Sequence, residues 1–432
     1  MVRPDLLRLV AAMRTPRRDA AASPSIIQIP TPDHRRGSGV LVNSLESSPV
    51  HWEDHAMDRS TRSNLQRRDP NATHASAWDR LGKALGVPLT GMTGLMRAVL
   101  KDIDEDATGI GWMTPEPSRR RILVSDQLYA CADGVARNLV ESKLAYLDFE
   151  EVQSEYMRFL ERGVTHQGRG YAYPKPQSAW DDLYPFRQGA HLASCVRGLG
   201  AALDCLGSVI VGVAALPLSI LKADYRKSLE ILAATAAKAA DPGAPVLREL
   251  RDQLASNLCT SGPDGWLNWM WGLRHSVVHR GRRMGYSDIS VERTILGALL
   301  EVRWTLPLMP ALSEAEAWHA ASEMRASQLH EQATTTLGGL VHATAALVDQ
   351  DASALLSLWR TRRDAPDLLP QPLKVQWPSV EAVRAPVPPF RGFAPDETAF
   401  RIDQTSTGPD GIKRLKAAAA TAGDSRWHNM AE

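Results

Sequence analysis

The chain has 432 residues, enough for more than one core, and at 44% hydrophobic and 23% charged it is excluded from being a fibre or a disulfide-stapled scaffold. Lysine plus arginine exceed aspartate plus glutamate by only 50 to 49, so no whole-molecule field steers it toward nucleic acid, and any such contact must come from a local patch. The four cysteines, Cys131, Cys195, Cys205 and Cys259, show no C-x-x-C pairing and are expected to be small buried hydrophobes in a reducing cytosol.

Residues 1–75 are rich in Arg, Ser, Pro and Asp without a sustained period, and are expected to be mostly disordered apart from a short helix near Leu6. Asp5 and Arg8 interrupt the apolar Leu6, Leu7, Leu9 and Val10, which makes a poor signal-peptide core and favours a cytoplasmic protein. An N-terminal helical region follows over 76–170. It starts with a helical turn at Trp78 and continues as one long helix or two from Ser125 to about Arg162, on Leu128, Ala132, Val135, Leu139, Leu144, Leu147 and Phe149. Gly168 to Pro176 reads as a connector.

The clearest periodicity comes next, where Leu192, Val196, Leu199, Leu203, Leu206, Ile210 and Val213 step by four and three in alternation. The flanking positions Gly200, Ala202, Gly207 and Val209 are small and uncharged, which predicts a helix buried in a bundle and not an exposed two-stranded coil. The uncharged run Leu206 to Leu221 is shorter than the roughly 20 residues of a membrane span, so a core helix without membrane contact is expected. Pro217 ends or kinks it, and further helices are predicted at about 219–240, 244–258, 264–280, 289–306 and 313–360. The fold class expected is an all-α helical bundle occupying 171–310, with a C-terminal helical segment over 311–362. A proline-rich extended tail follows over 363–432.

The helix from Pro263 through Arg280 carries the residues of most chemical interest, with Asp264 near its start and Gly281 as its stop. On a wheel, Trp266, Leu267, Trp269, Met270, Trp271, Leu273, Val277 and Val278 fill an apolar arc, with the tryptophans expected in the core or a dimer seam, and Asn268, His275 and His279 lie opposite. Arg274 falls inside the apolar arc, where a guanidinium needs a partner; an internal ion pair with Asp204 is one account of it and a functional site the other. His279 stands in the last turn, where the helix dipole favours its protonated form. Arg280, Arg282 and Arg283 continue the segment, so 274–283 holds four arginines, two histidines and no acid, a local cationic patch suited to phosphate.

Arg274-His275-Ser276-Val277-Val278-His279, late in a helix of an all-α bundle, resembles the R-x-x-x-x-H signature of HEPN-domain ribonucleases, over roughly residues 178–310. The resemblance implies a metal-independent endoribonuclease without a cofactor, in which the ribose 2′-hydroxyl attacks the adjacent phosphate and leaves a 2′,3′-cyclic phosphate. Arg274 would neutralise the phosphate and its transition state, and His279 would move protons. His275, Arg280, Arg282 and Arg283 would hold the RNA, with Asp204 and Asn268 in support. Five residues rotate a helix by about 140°, so Arg274 and His279 of one chain diverge. A homodimer with a composite site, as the family implies, would resolve this, as would unwinding near Gly281. A toxin or anti-phage effector role, with an inhibitory or regulatory protein partner, follows by family analogy. The tyrosine found two residues after the histidine in one toxin branch is replaced here by Gly281.

Two rivals remain at this stage. His275 and His279 at i, i+4 could chelate zinc, although no H-E-x-x-H or nearby cysteine pair accompanies them. A non-catalytic HEPN-like scaffold binding RNA or protein is the other. No phosphate-binding G-x-x-x-x-G-K-[ST] loop and no G-x-S-x-G nucleophile turn is present.

Overall fold

A computed structural model of the chain describes residues 74–104, 109–113, 119–163, 174–178, 181–238, 242–280, 286–294, 297–312, 316, 327–369 and 413. At 104, 119–123, 279–280, 286–294 and 297–302 the backbone alone is described. The chain divides into two units, Met1–Arg68 and Asp69–Glu432, and every described residue belongs to the second. Of residues 1–75, expected to be mostly disordered, 1–73 with the helix near Leu6 lie outside the described residues, while His74 and Ala75 are helical; 370–412 and 414–432 of the proline-rich tail also lie outside.

The described residues are mainly helical. Helix α1 (His74–Leu85) leads to α2 (Thr90–Asp102) through Gly86, whose φ of 65° is left-handed. Val87 N–H donates back to Gly82 and Gly86 N–H to Lys83, which satisfies the last carbonyls of α1 in a Schellman stop. Two short antiparallel strands, β1 (Ile103–Asp104) and β2 (Gly109–Ile110), precede the 43-residue α3 (Arg119–Glu161).

Helix α3 packs antiparallel against α4 (Tyr184–Val213): Gly134 lies against Cys205, Gly198 against Ser142, and Gly212 against Leu128. Every seam residue of α4 from Leu192 to Val213 is buried. The segment Asp181–Val213 is long and apolar enough to cross a membrane by composition, yet 72% of its apolar 18-residue window is buried inside the bundle, as suits a core helix. Leu144 and Leu147, expected on the inner face of α3, are instead 36% and 37% exposed. The stripe from Leu128, Ala132, Val135 and Leu139 runs on through Ser142 to Phe149, because Gly198 of α4 comes so close that only a small side chain fits at 142.

Helix α5 (Tyr225–Ala236) is capped by Asp224, which accepts from Lys227 N–H at 2.8 Å, and α6 (Ala244–Ser261) starts with proline at its first turn. Helices α7 (Trp266–Arg280) and α8 (Ala333–Asp364) complete the set. Helix α8 runs parallel to α2 and holds it at both ends, Asp349 accepting from Gly91 N–H at 2.7 Å and Trp359 donating to Asp102 at 2.8 Å. It also packs on α3, α4 and α6. Two ionisable groups of α8 are fully buried. Asp351 accepts from the Tyr225 hydroxyl at 2.8 Å and the Asn257 amide at 2.9 Å, tying α5 and α6 to α8. Arg362 donates to the carbonyls of Gly212, Val213 and Leu369, closing the C-terminal end of α4, and burial lowers its pKa to about 10. Lys413 donates to Leu100 at 2.7 Å.

One helical expectation is corrected. Residues 289–306 are not a helix: β3 (Tyr286–Thr294) and β4 (Gly297–Thr305) form an antiparallel hairpin with Ile289 opposite Val302 and Val291 opposite Leu300. Period two in Ile289 and Val291, and in Leu300, Val302 and Trp304, with several β-branched residues, suits a strand. Trp304 is buried against Phe149 of α3, ring centroids 5.2 Å apart. Of the helix expected over 313–360, Ala333 onward is present as α8; of residues 313–326 only Glu316 is described, and it is helical. Leu308 N–H donates to Ser327 and Leu329 N–H to Leu306, so the stretch just before α8 pairs with the exit of the hairpin.

The cysteines divide. All four are free; Cys131 and Cys195 are buried, Cys205 is half-buried, and Cys259 is exposed on α6, contrary to expectation. Burial pushes the Cys195 thiol up to about 12 and Cys205 to about 11, which leaves them protonated and unreactive at neutral pH.

Candidate functional site: the α4–α7 crossing

Helix α7 opens after Gly265, at φ 80°, and turns Trp266, Leu267, Met270, Leu273 and Val277 into the core. The hairpin exit clamps one side. The Trp269 indole N–H donates to Pro307 and Leu308 at 3.2 and 3.1 Å, and the buried Ser276 hydroxyl donates to Pro310. Helix α4 lies on another side, and Asn268 and His275 are exposed on the outer face, as the wheel predicts.

Arg274 points along α4 and is held on three sides. Its Nη2 donates to Asp204 at 2.7 Å, its guanidinium lies over the Trp271 ring at 4.8 Å, and its stem crosses Gly200, where a Cβ would collide with Cδ, Nε and Cζ. Among the described residues Asp204 is its one hydrogen-bond acceptor, which leaves Nε–H and Nη1 with donors to offer. The side chain is 25% exposed, so those donors are within reach of solvent. Asp204 is itself only one-third exposed; burial raises its pKa, the Arg274 hydrogen bond and charge oppose that, and Asp224 adds to it.

Arg274 and Asp204 are therefore together, with Trp271 as a member that sequence reasoning assigned to the core or a dimer seam. The i, i+3 spacing of Trp271 and Arg274 was the available signal, and Gly200 on the buried helix was another. His279 and Arg280 lie in the last turn of α7, but their side chains are outside the described residues, and Arg282 and Arg283 lie outside altogether. Because α7 stays helical through Arg280, unwinding does not bring His279 round to Arg274 within the described helix. Among the described residues no group of three or more His, Cys, Asp or Glu is placed to hold a metal ion.

As chemistry, the arrangement is a guanidinium fixed in place by a carboxylate and an aromatic face, with donors left for a planar or tetrahedral anion. No protein-family model, curated protein or solved structure matches this chain.

Proposed function

We propose that the chain is a metal-independent endoribonuclease of the HEPN type, cutting RNA by 2′-hydroxyl attack to leave a 2′,3′-cyclic phosphate. The observation that carries this reading is Arg274: a guanidinium immobilised by Asp204, Trp271 and Gly200 on the helix bearing the R-x-x-x-x-H spacing, with donors still available. Held this way it can meet the charge that builds on a pentavalent phosphate without reorganising. His279 moves the proton, and His275, Arg280, Arg282 and Arg283 attract the backbone, with Asn268 beside them. The roughly 140° between Arg274 and His279 on one helix favours a homodimer in which each chain completes the other's site. A cytoplasmic toxin or defence effector, held in check by a protein partner, suits such an activity.

The test is cleavage of total RNA in EDTA. Arg274→Ala and Arg274→Lys should each lose about 10²- to 10³-fold in rate, and His279→Asn about 10²- to 10⁴-fold, with cyclic phosphate ends on the wild-type products. Absence of cleavage by the wild type, or equal cleavage by all variants, sinks the proposal. A second reading, a non-catalytic scaffold, draws on the same ion pair, which by itself bolts α7 to α4. On that reading the variants lower the melting temperature and nothing else.

A further inference from the structure

Where α8 meets the C-terminal end of α4, the bundle holds a cation that no acid answers. Arg362 is 1% exposed, burial lowers its pKa with no acid opposing, and among the described residues no carboxylate forms an ion pair with it. Its two Nη atoms are spent on the carbonyls of Gly212, Val213 and Leu369, while its buried Nε–H has no acceptor among the described residues. Trp112, on the 3-10 turn Gly111–Met113 that follows β2, lies with its ring 5.5 Å from the guanidinium carbon. The indole N–H of Trp112 is also buried without an acceptor among the described residues. Trp359 packs edge-on against Trp112 at 4.7 Å and donates to Asp102 at 2.8 Å, and Asp102 pairs with Arg363 at 3.6 Å, so the acid on this side is already engaged. Nε is bonded to the guanidinium carbon and Nε1 belongs to the ring, so the two orphaned donors share one box. A buried donor without an acceptor is costly, and a buried cation without an anion costlier.

We infer that Arg362 Nε and Trp112 Nε1 bind a compact monovalent anion of the size of chloride, where α8, the Gly111–Met113 turn and the end of α4 meet. One guanidinium supplies one positive charge, and the carbonyl end of α4, worth about half a negative charge, already draws on it. A dianion such as phosphate would leave the box in excess of negative charge; a water would accept from both donors but leave the cation unmet. Trp112 and Arg362 are 250 residues apart, so the site exists only in the folded chain and its ion stabilises the fold by mass action. Gly212 stands eight residues past Asp204 along α4, about 12 Å, so this site is separate from the α4–α7 crossing and stands apart from the ribonuclease reading.

The experiment is urea unfolding of the whole chain, followed by tryptophan fluorescence at one ionic strength while chloride is exchanged for gluconate, which is too large to enter. Each tenfold rise in chloride above its dissociation constant should raise the folded-to-unfolded ratio of the wild type by about tenfold. Trp112→Phe keeps a ring over Arg362 and removes the N–H, and should flatten that dependence; general salt effects persist in the variant, so the difference isolates the site. In crystals grown with bromide, an anomalous peak should touch both nitrogens. A wild type indifferent to chloride, or a Trp112→Phe that keeps the full dependence, overturns the inference. So does a water in place of bromide, and a bromide peak without any effect on stability marks an adventitious ion only. If Trp112→Phe does not fold, the wild-type chloride dependence and the bromide peak decide by themselves, and both must be present.

Discussion

Replacing Asp351 with asparagine should stabilise the protein at pH 8 and leave it nearly unchanged at pH 4. The carboxyl is fully buried, and the groups facing it are neutral donors, the Tyr225 hydroxyl from α5 and the Asn257 amide from α6. Burial raises its pKa to about 7, against the hydrogen bonds from Asn257 and Tyr225, which lower it. An unfolded aspartate titrates near ~3.9, so between about pH 4 and 7 the folded state holds a proton that the unfolded state has released. The stability from that proton is complete below about pH 4 and is lost as pH rises through about 7. Three units of difference correspond to about 4 kcal/mol, a large share of the ~5–15 kcal/mol that holds a typical domain folded. Asparagine has the same shape, can accept from Asn257 and donate to Tyr225, and carries no charge. Urea unfolding followed by tryptophan fluorescence at pH 4 to 9 should show the two proteins diverging by about 4 kcal/mol at the alkaline end. Parallel curves, or a variant weakest at pH 8, would mean that an ionised Asp351 holds the three helices, and the reasoning would fail.

Two further outcomes follow from glycine and arginine positions. Gly200→Ala places a methyl where the Arg274 guanidinium lies, so it should cut RNA cleavage by about 10²-fold, while the ~1 kcal/mol gain in helix propensity keeps the melting temperature close to wild type; undiminished cleavage would show that the placement of Arg274 is irrelevant to activity. Arg362→Met keeps the volume but strands the carbonyls of Gly212, Val213 and Leu369, and should cost about 3 kcal/mol in urea unfolding; a change below about 1 kcal/mol would refute the capping role.

What could be read in the sequence was whatever one helix displays by itself. The seam from Leu192 to Val213 and the helix ending at Arg280 are local patterns, and both are present. The inner face of α3 was misread because its stripe passes through Ser142, a polar residue whose burial is set by Gly198 on another helix. The β3–β4 hairpin was misread because Val, Ile and Leu at short spacing satisfy both periods, and the contact of Trp304 with Phe149 that anchors it spans the chain. At the site, the misfit of Arg274 on its wheel and its partner Asp204 were legible, since both follow from the cost of a buried charge. The role of Trp271 was not, because an apolar arc does not tell which of its members a crossing helix will cover.

The grip of α8 on α2 bears on how the chain reaches this state. Gly91 and Asp349 are 258 residues apart, and a ribosome adding about 5–20 residues per second needs about 13 to 50 s to cover that distance. For that interval Met92, Leu95, Met96 and Val99, all fully buried in the finished bundle, have no α8 to cover them. So long a loop to close makes folding slow, and the early helices are natural clients for a chaperone until α8 arrives.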